Sequence, residues 1–253
     1  MDQRQRSKDV QRYEHNIQRR NSAMRFMKHT SLLITATLII SLAGRAHADN
    51  IQHIPTKDEI AKLQAAAEKG DAVSQFQLGW LYEVGNGVPQ DYSRAHDWYL
   101  KSAEQANADA ETNLGLMYWS GDGAQKDSAE AIHWLSKAAD QGEANAENAL
   151  GLAYMSGYGV PQDYKEAAKW NERAAEQGHE VAEYDLGAMY AKGEGVQQDN
   201  VKAYMWSKLA DDQGFERAKQ NEDAIAKVMT AAQKEEAEEL LRQKRAVISS
   251  VSH

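Results

Sequence analysis

The sequence of 253 residues has no cysteine, only three prolines and only three phenylalanines. Without cysteine, disulfide bonds and thiolate chemistry are excluded, even for a chain that reaches an oxidising compartment. The sequence also lacks the short motifs typical of serine hydrolases, phosphate-binding loops and zinc peptidases. All three prolines fall outside the predicted helices. Cohesion must therefore come from the packing of helices.

Residues 1–48 differ in composition from the rest of the chain. Basic residues at 24–28 precede an uncharged run of 13 residues at 31–43, and Ala46-His-Ala48 has the small-x-small pattern of a cleavage site. This order is typical of a secretory signal peptide. The alternative is a membrane anchor, which needs about 20 apolar residues. We predict cleavage after Ala48 and a periplasmic or secreted location.

The predicted mature chain is strongly acidic. Residues 1–48 hold 9 of the 29 Lys/Arg and 3 of the 38 Asp/Glu, which leaves 20 basic and 35 acidic residues. The resulting charge of −15 repels nucleic acid and anionic lipid, so we expect neither nucleic acid nor a stably inserted membrane segment after cleavage. Residues 1–23 are polar and aperiodic. A true start at Met24 or Met27 explains them better than a cytoplasmic tail.

A period of 36 residues runs from position 71 to position 214. Its plainest markers are one glycine, one tyrosine and one tryptophan per unit, at Gly79/Gly115/Gly151/Gly187, Tyr82/Tyr118/Tyr154/Tyr190 and Trp98/Trp134/Trp170/Trp206. A fixed period of this length marks a solenoid, in which each unit buries its apolar face only against its neighbours. The sequence therefore predicts four units, 71–106, 107–142, 143–178 and 179–214.

Each unit is predicted to form a helix, a tight loop and a second helix. In the third unit Leu150 and Tyr154 lie on one face of the first helix. Gly151 beside them costs roughly 1 kcal/mol within a helix, and close approach of the second helix would explain its return in every unit. Glycines and a proline within 157–161 then end the helix and form the turn.

The second helix of the unit has its own start and stop signals. Asp163 is predicted to cap it, with Glu166 as the partner in a capping box. Trp170 is expected to be the large core residue between small neighbours, and Gly178 to end the helix as a C-cap.

Two segments flank the repeats. Residues 49–70 contain a capping box at Thr56–Glu59 and are predicted to form a half-repeat helix that covers the first unit. Residues 215–253 are predicted to form C-terminal capping helices, with a second box at Thr230–Gln233, a helix ending near Arg245 and a frayed tail. The whole is predicted to be one all-α solenoid domain.

The units share the skeleton A-x-x-x-L-G-x-x-Y-x-x-G-x-G-V-x-x-D-x-x-x-A-x-x-W-x-x-x-A-A-x-x-G, which runs from Ala146 to Gly178 in the third unit. This skeleton closely resembles the Sel-one-like repeat (SLR) family, a subgroup of the tetratricopeptide-like α/α solenoids. The departures are Ala106 for the closing glycine, Ala124 for valine, and Gln125 and Gln197 for proline.

The resemblance implies a right-handed α/α superhelix whose concave face is lined by first helices. It also implies a role in holding other proteins, in bacteria often at the envelope, in signalling or in host contact. Some secreted relatives carry one disulfide per repeat, which separates them from this cysteine-free chain.

No set of residues indicates catalysis. His96, His133 and His179 stand at different repeat positions and are expected to be solvated surface residues. The Gly-x-Gly pairs recur at the turn of every unit, so they indicate a turn and not a nucleotide site. We therefore predict no enzyme activity, no cofactor and no metal site.

A second stripe on the first helices varies from unit to unit. At about 100° per residue, positions 73, 76, 80 and 83 point largely away from the core positions 74, 78 and 82. The stripe is still apolar, which is typical of a partner site, unless closure of the superhelix buries it. The predicted partner-binding residues are Val73, Phe76, Trp80, Leu116, Trp119, Leu152, Met155, Val181 and Tyr184.

These features predict an exported scaffold that holds a protein or peptide segment in a groove along the first helices. Trp80 and Trp119 are the expected anchors, and we expect neither to belong to the core. The alternative is an envelope enzyme or an accessory protein associated with glycan or peptidoglycan, in which the aromatic stripe would stack on cell-wall sugars.

Overall fold

The computed structural model describes residues 54–251, and side chains as far as Ala246. Within that range the chain forms eleven α-helices and no strand. The helices, in chain order, are α1 (Lys57–Glu68), α2 (Ala72–Val84), α3 (Tyr92–Ala103), α4 (Ala108–Ser120), α5 (Ser128–Asp140), α6 (Ala144–Ser156), α7 (Tyr164–Glu176), α8 (Glu180–Lys192), α9 (Asn200–Asp212), α10 (Glu216–Val228) and α11 (Ala231–Val251).

Helices α2 to α9 form four consecutive pairs, α2–α3, α4–α5, α6–α7 and α8–α9. Each first helix packs against the second helix of its own pair and against the second helix of the preceding unit. For α2 the preceding helix is α1. Stacking of nearest neighbours in this way is an all-α solenoid, as predicted from the period.

The paired helices approach closely at the repeated glycine. A Cβ atom on Gly115 would lie 3.1 Å from the carbonyl oxygen of Ala131 and 2.8 Å from Cγ of Leu135 in the facing helix. Gly79 and Gly187 meet their second helices at similar distances, and a Cβ on Gly151 would overlap the side chain of Asn171. The predicted reason for a glycine inside each first helix is confirmed.

An aspartate begins each second helix and bonds its first turn. The Oδ1 atom of Asp163 accepts hydrogen bonds from the backbone N–H groups of Lys165 at 2.8 Å and Glu166 at 3.2 Å. The predicted capping box is wrong here, because the Asp163 N–H donates to the carbonyl of Tyr154 at 2.9 Å. This N–H instead ties the second helix to the end of the first.

Loops connect each unit to the one before it. Gly123 has a φ of +75°, and a Cβ there would overlap the carbonyl of Tyr92 at the start of α3. In the first unit, a Cβ on Gly87 would lie 2.9 Å from Ile60 and 3.0 Å from Pro55. The residues around the start of α1 thus occupy the place that a preceding unit has elsewhere in the array.

The four repeated tryptophans do not share one environment. Trp134 and Trp206 are buried, with 8 % and 4 % of their surfaces exposed. Trp98 and Trp170 are half-buried and pack on the core with part of each ring in solvent. Trp170, predicted to be the large core residue of its unit, is therefore only partly in the core, and so is Trp98, whereas Trp134 and Trp206 are fully core residues.

The ends of the array carry two complete capping boxes. At the start of α1, the Thr56 N–H donates to Glu59 at 2.7 Å and the Glu59 N–H donates to the Thr56 hydroxyl at 3.3 Å. Thr230 and Gln233 exchange the same pair of bonds at 2.9 and 3.2 Å. Both predictions are confirmed.

The C-terminal helix is longer than predicted. Helix α11 packs against α9 and buries Ala237 and Leu241. It continues to Val251, past the predicted end near Arg245. The predicted signal peptide and cleavage site lie outside the described residues. No helix between residues 54 and 251 is long and apolar enough to cross a membrane.

One turn holds an alanine in a backbone conformation that favours glycine. Ala106 has a φ of +60°, where Gly142 has +86° in the next unit. Because this region is strained for residues with a Cβ, Ala106→Gly should stabilise the protein by about 0.5–1 kcal/mol in urea unfolding. Gly142→Ala is the control. Its new Cβ would meet nothing within 4 Å, so the only cost is backbone strain, and the variant should destabilise by a similar amount. Equal stability of both variants and the wild type would contradict this account.

Candidate functional site

The nine residues of the predicted groove do not form one exposed surface. Val73 is 55 % exposed, whereas Trp80, Met155 and Tyr184 are half-buried. The other five are only 5–8 % exposed: Phe76, Leu116, Trp119, Leu152 and Val181. The expectation that these five lie outside the core is wrong, and each presents little surface to a partner.

Contacts between neighbouring units bury the stripe. The ring of Trp119 stacks on that of Tyr158, in the loop of the next unit, with the centroids 4.0 Å apart. The Tyr158 hydroxyl also donates to the Trp119 carbonyl at 3.2 Å. Leu116 and Leu152 pack in the same cluster as Trp119. Truncating Trp119 is therefore expected to reduce stability, in contrast to the expectation from the sequence.

Exposure at the first position of the stripe falls along the array. There Val73 is 55 % exposed, Asp109 is exposed, Asn145 is half-buried and Val181 is 5 % exposed, whereas the other stripe positions do not follow this order. Of the exposed first-helix residues, Val73, Gln77 and Asp109 lie in the first two units and Lys192 lies in the fourth. We call the accessible first-helix surface of the first two units the open end; it comprises Val73, Gln77, Trp80, Glu83, Asp109 and Asn113.

Tyr99 holds the polar part of the open end in place. Its hydroxyl donates to Oε2 of Glu83 at 2.6 Å. Burial, with the Glu83 carboxylate nearby, raises the pKa of Tyr99 well above its ordinary value, so the hydroxyl stays protonated and keeps Glu83 oriented. A shallow pocket beside this pair is lined by Glu83, Asn113, Leu116, Met117, Ser120 and Asp122, among others.

A row of buried carboxylates on the first helices was missed by the sequence reasoning. Glu111, Glu147 and Glu183 recur every 36 residues and are at most 1 % exposed. Each accepts a hydrogen bond from the glutamine that ends the second helix of its unit, with distances of 2.6–2.8 Å for the pairs Gln141–Glu111, Gln177–Glu147 and Gln213–Glu183. The signal that could have revealed this row is that the glutamates and their glutamine partners both recur every 36 residues.

A cation on the second helix pairs with two of these carboxylates. Lys137 lies 3.0 Å from Glu111 and sits over the Trp134 ring at 4.2 Å. Arg173 lies 2.7 Å from Glu147 and sits over the Trp170 ring at 4.7 Å. Each cation therefore connects a first helix to the exposed side of a tryptophan three residues before it.

The fourth unit has Leu209 where the third has Arg173. Within residues 54–246, Glu183 has no ion pair, and its Oε1 atom is buried without a hydrogen-bond partner. Burial raises the pKa of Glu183 to about 8. Lys244 of α11 lies over the Trp206 ring at 5.0 Å and pairs with Glu176 at 3.5 Å. The terminal helix thus supplies the cation for the last tryptophan.

The other polar side chains in the core do not form a catalytic arrangement. Asn148 donates to Asn171 at 3.1 Å, and burial raises the pKa of nearby Asp185 to about 7. His179 is 9 % exposed and accepts a bond from the Ala182 N–H at 3.2 Å. Burial lowers the pKa of His179. In the described part of the chain no three His, Asp or Glu side chains could hold a metal ion.

The three histidines differ in exposure. His133 is exposed, as predicted, but His96 is half-buried, 3.2 Å from the Tyr118 hydroxyl. His179 caps α8, which requires a neutral acceptor nitrogen. The expectation of solvated histidines is therefore wrong for His96 and His179, which have structural roles.

Helix pairs stacked with a fixed period define an α-solenoid of the scaffold type. The family model described as Sel1 repeat matches residues 72–107, 108–143, 144–179 and 181–215. These segments begin one or two residues later than the units read from the sequence. The chain belongs to the Sel1 repeat family, whose repeats generally mediate protein–protein contacts without catalysis.

Two solved structures share the fold at appreciable sequence identity. A Sel1 repeat protein from Oxalobacter formigenes is 38 % identical with a TM-score of 0.60, over 66 % of this chain and 48 % of that one. The protective antigen c5321 of uropathogenic Escherichia coli, which displays an SLR fold, is 30 % identical with a TM-score of 0.51, over 74 % of this chain and 48 % of that one. This chain spans about half the length of each. A comparison with curated protein sequences gave no match.

The buried carboxylate without a cation predicts a specific pH dependence. Because the folded pKa of Glu183 is about 8, above its ordinary value of 4.5, the folded protein keeps a proton that the unfolded chain releases. Stability should therefore fall as pH rises from about 5 to about 8. Glu183→Gln should reduce this fall and stabilise the protein at pH 8 by about 1–3 kcal/mol, measured by thermal unfolding.

Other groups around Glu183 define the controls. Glu180, Asp212 and Lys244 are its charged neighbours, and Asp185, with a pKa raised to about 7, adds a dependence of the same sign. Burial also raises the pKa of Glu147, but that carboxylate pairs with Arg173 at 2.7 Å, so Glu147→Gln should destabilise by leaving Arg173 without its partner. If Glu183→Gln lowered stability at pH 8 as Glu147→Gln does, the assignment of Glu183 as a protonated buried acid would be wrong.

Proposed function

We propose that the protein is an exported scaffold that binds a segment of another protein at the open end of its first-helix face. The observation that carries the proposal is the exposure of Val73, at 55 %, on a face whose later equivalent, Val181, is 5 % exposed. Val73 and the half-buried Trp80 together leave apolar surface open at this end, and contiguous apolar surface is typical of a contact site.

Trp80 gives this surface an anchor. It is half-buried and packs partly on the core around Ala67 and Leu78, so its ring is held in a defined position. Large, rigid, partly exposed aromatic rings contribute most to protein interfaces, since little side-chain entropy is lost on binding. We therefore propose Trp80 and Val73 as the main contact residues of the predicted groove, and its buried members contribute little contact surface.

The distribution of aromatic rings disfavours the alternative of a glycan-binding accessory protein. Stacking on a chain of sugars needs several exposed rings in a row, but Phe76 and Trp119 are buried. Of the aromatic residues in the stripe, Trp80 and Tyr184 are half-buried, and they belong to the first and fourth units. Such separated rings fit a protein contact better than a glycan platform.

Export is proposed from the sequence of residues 1–48. The basic segment, the 13-residue uncharged run and the Ala46-His-Ala48 site support cleavage after Ala48. N-terminal sequencing of protein recovered outside the cytoplasm should therefore begin at Asp49. A full-length product that stays in the membrane fraction would contradict this proposal.

A polar replacement at the open end tests the binding proposal. Val73→Gln should weaken capture of protein partners from an envelope extract by about 1 kcal/mol or more, because it removes apolar contact area. Its melting temperature should stay that of the wild type, since Val73 is 55 % exposed. The readout is quantitative mass spectrometry of the captured proteins.

Val228→Gln is the matched control. Val228 is 69 % exposed, lies at the end of α10 and is not part of the open end. The control should capture the same proteins as the wild type. If Val73→Gln also captured them in unchanged amounts, the open end would not be the binding surface.

A further inference from the structure

Charge is segregated between the two kinds of helix. Helices α2, α4 and α6 contain no lysine or arginine, and α8 has Lys192 alone. Every second helix from α3 to α9 carries at least one basic residue. Acidic residues are present on both the first and the second helices. The first-helix face of the open end is therefore negatively charged, with Glu83 and Asp109 as its accessible carboxylates.

The basic residues Arg94 and Lys126, which flank these helices in sequence, contact other groups. Arg94 pairs with Asp91 at 3.4 Å and donates to the Tyr82 hydroxyl at 3.2 Å. Lys126 lies over the ring of Tyr158 at 5.4 Å. Among residues 54–246, Asp109 and Asp122 have no ion pair within 4.0 Å. Their charge is available to a partner of opposite sign.

The shallow pocket of the open end has both an apolar wall and polar acceptor atoms, which suit a long cationic side chain. Leu116 and Met117 give its wall an apolar part, and Glu83, Asp122 and Asn113 give it acceptor atoms. Lysine and arginine bury an apolar stem while the charged head stays near polar atoms or water. A neutral polar side chain would match the acceptors but not the apolar wall, and an acidic one would be repelled.

We infer that the open end binds its partner through a lysine or arginine side chain seated in this pocket, in a segment that also contacts Val73 and Trp80. The inference rests on the proposed function and adds the chemistry of the partner. Trp80 precedes Glu83 by three residues, so both lie on one side of α2. The partly exposed indole and the carboxylate each favour a cation.

Binding of designed peptides to the full exported chain tests the inference. Three sets of short peptides share the same apolar residues and differ only in carrying Lys, Gln or Glu at the remaining positions. The Lys set should bind at least about tenfold more tightly than the Gln set, and the Glu set should bind most weakly. Raising the salt concentration should weaken the Lys set and leave the Gln set little changed.

Two double variants locate the effect. Glu83→Gln with Asp122→Asn should weaken binding of the Lys set by about tenfold, whereas Glu104→Gln with Glu172→Gln should not change it. The control removes the same net charge from exposed carboxylates outside the first helices, after α3 and within α7. Thermal unfolding of both variants shows whether each is folded.

The outcomes separate this inference from the proposed function. Equal binding of the Lys and Gln sets, both lost in Val73→Gln, would overturn the cationic anchor and leave the open end as the binding surface. An equal loss in both double variants would show an effect of net charge alone and would also overturn the inference. If neither Val73→Gln nor Glu83→Gln changed binding of the Lys set, both this inference and the proposed function would be contradicted.

Discussion

The structure depends on the close approach of two helices at one glycine per unit. At Gly79, Gly115 and Gly187 a Cβ would lie 3.1–3.2 Å from a carbonyl oxygen of the facing helix, so the two backbones are nearly in contact. Across the pair Ala95, Ala131 and Ala203 are fully buried, and the larger side chains of Tyr99 and Leu135 pack directly against the glycine. The repeated tryptophans lie elsewhere on the second helices, where basic side chains cover them.

The same close packing determines which surface remains for function. Short distances between units bring neighbouring first helices together, and their variable stripe becomes core: Leu116, Trp119 and Leu152 pack with one another. The most exposed residue of the stripe is Val73, in the first unit, and Met155 and Tyr184 of later units are half-buried. At the other end, α10 and α11 cover the array, and Lys244 replaces a cation that the last unit lacks. The two ends of a uniform array thus differ in the surface that they leave accessible.

Local features were predictable from the sequence and long-range ones were not. The caps at Thr56 and Thr230, the glycine contact and the period of 36 residues depend on residues close in sequence or repeated in it. The burial of Trp119 depends on contacts with Tyr158 and Leu152 from the following unit, which helical periodicity does not encode. The buried Glu111 series was visible as a repeat, but its polar residue type suggested an exposed face.

Hydroxyl-radical footprinting of the native protein tests the central claim that contacts between units bury most of the variable stripe on the first helices. The comparison uses residues of one type, so intrinsic reactivity cancels: half-buried Trp80 against Trp119, which is 8 % exposed, and half-buried Met155 against Met117, which is 5 % exposed. Trp80 and Met155 should be oxidised while Trp119 and Met117 stay protected until the protein unfolds. Oxidation of Trp119 as fast as that of Trp80 in the folded protein would show a groove open along the array and would contradict the account.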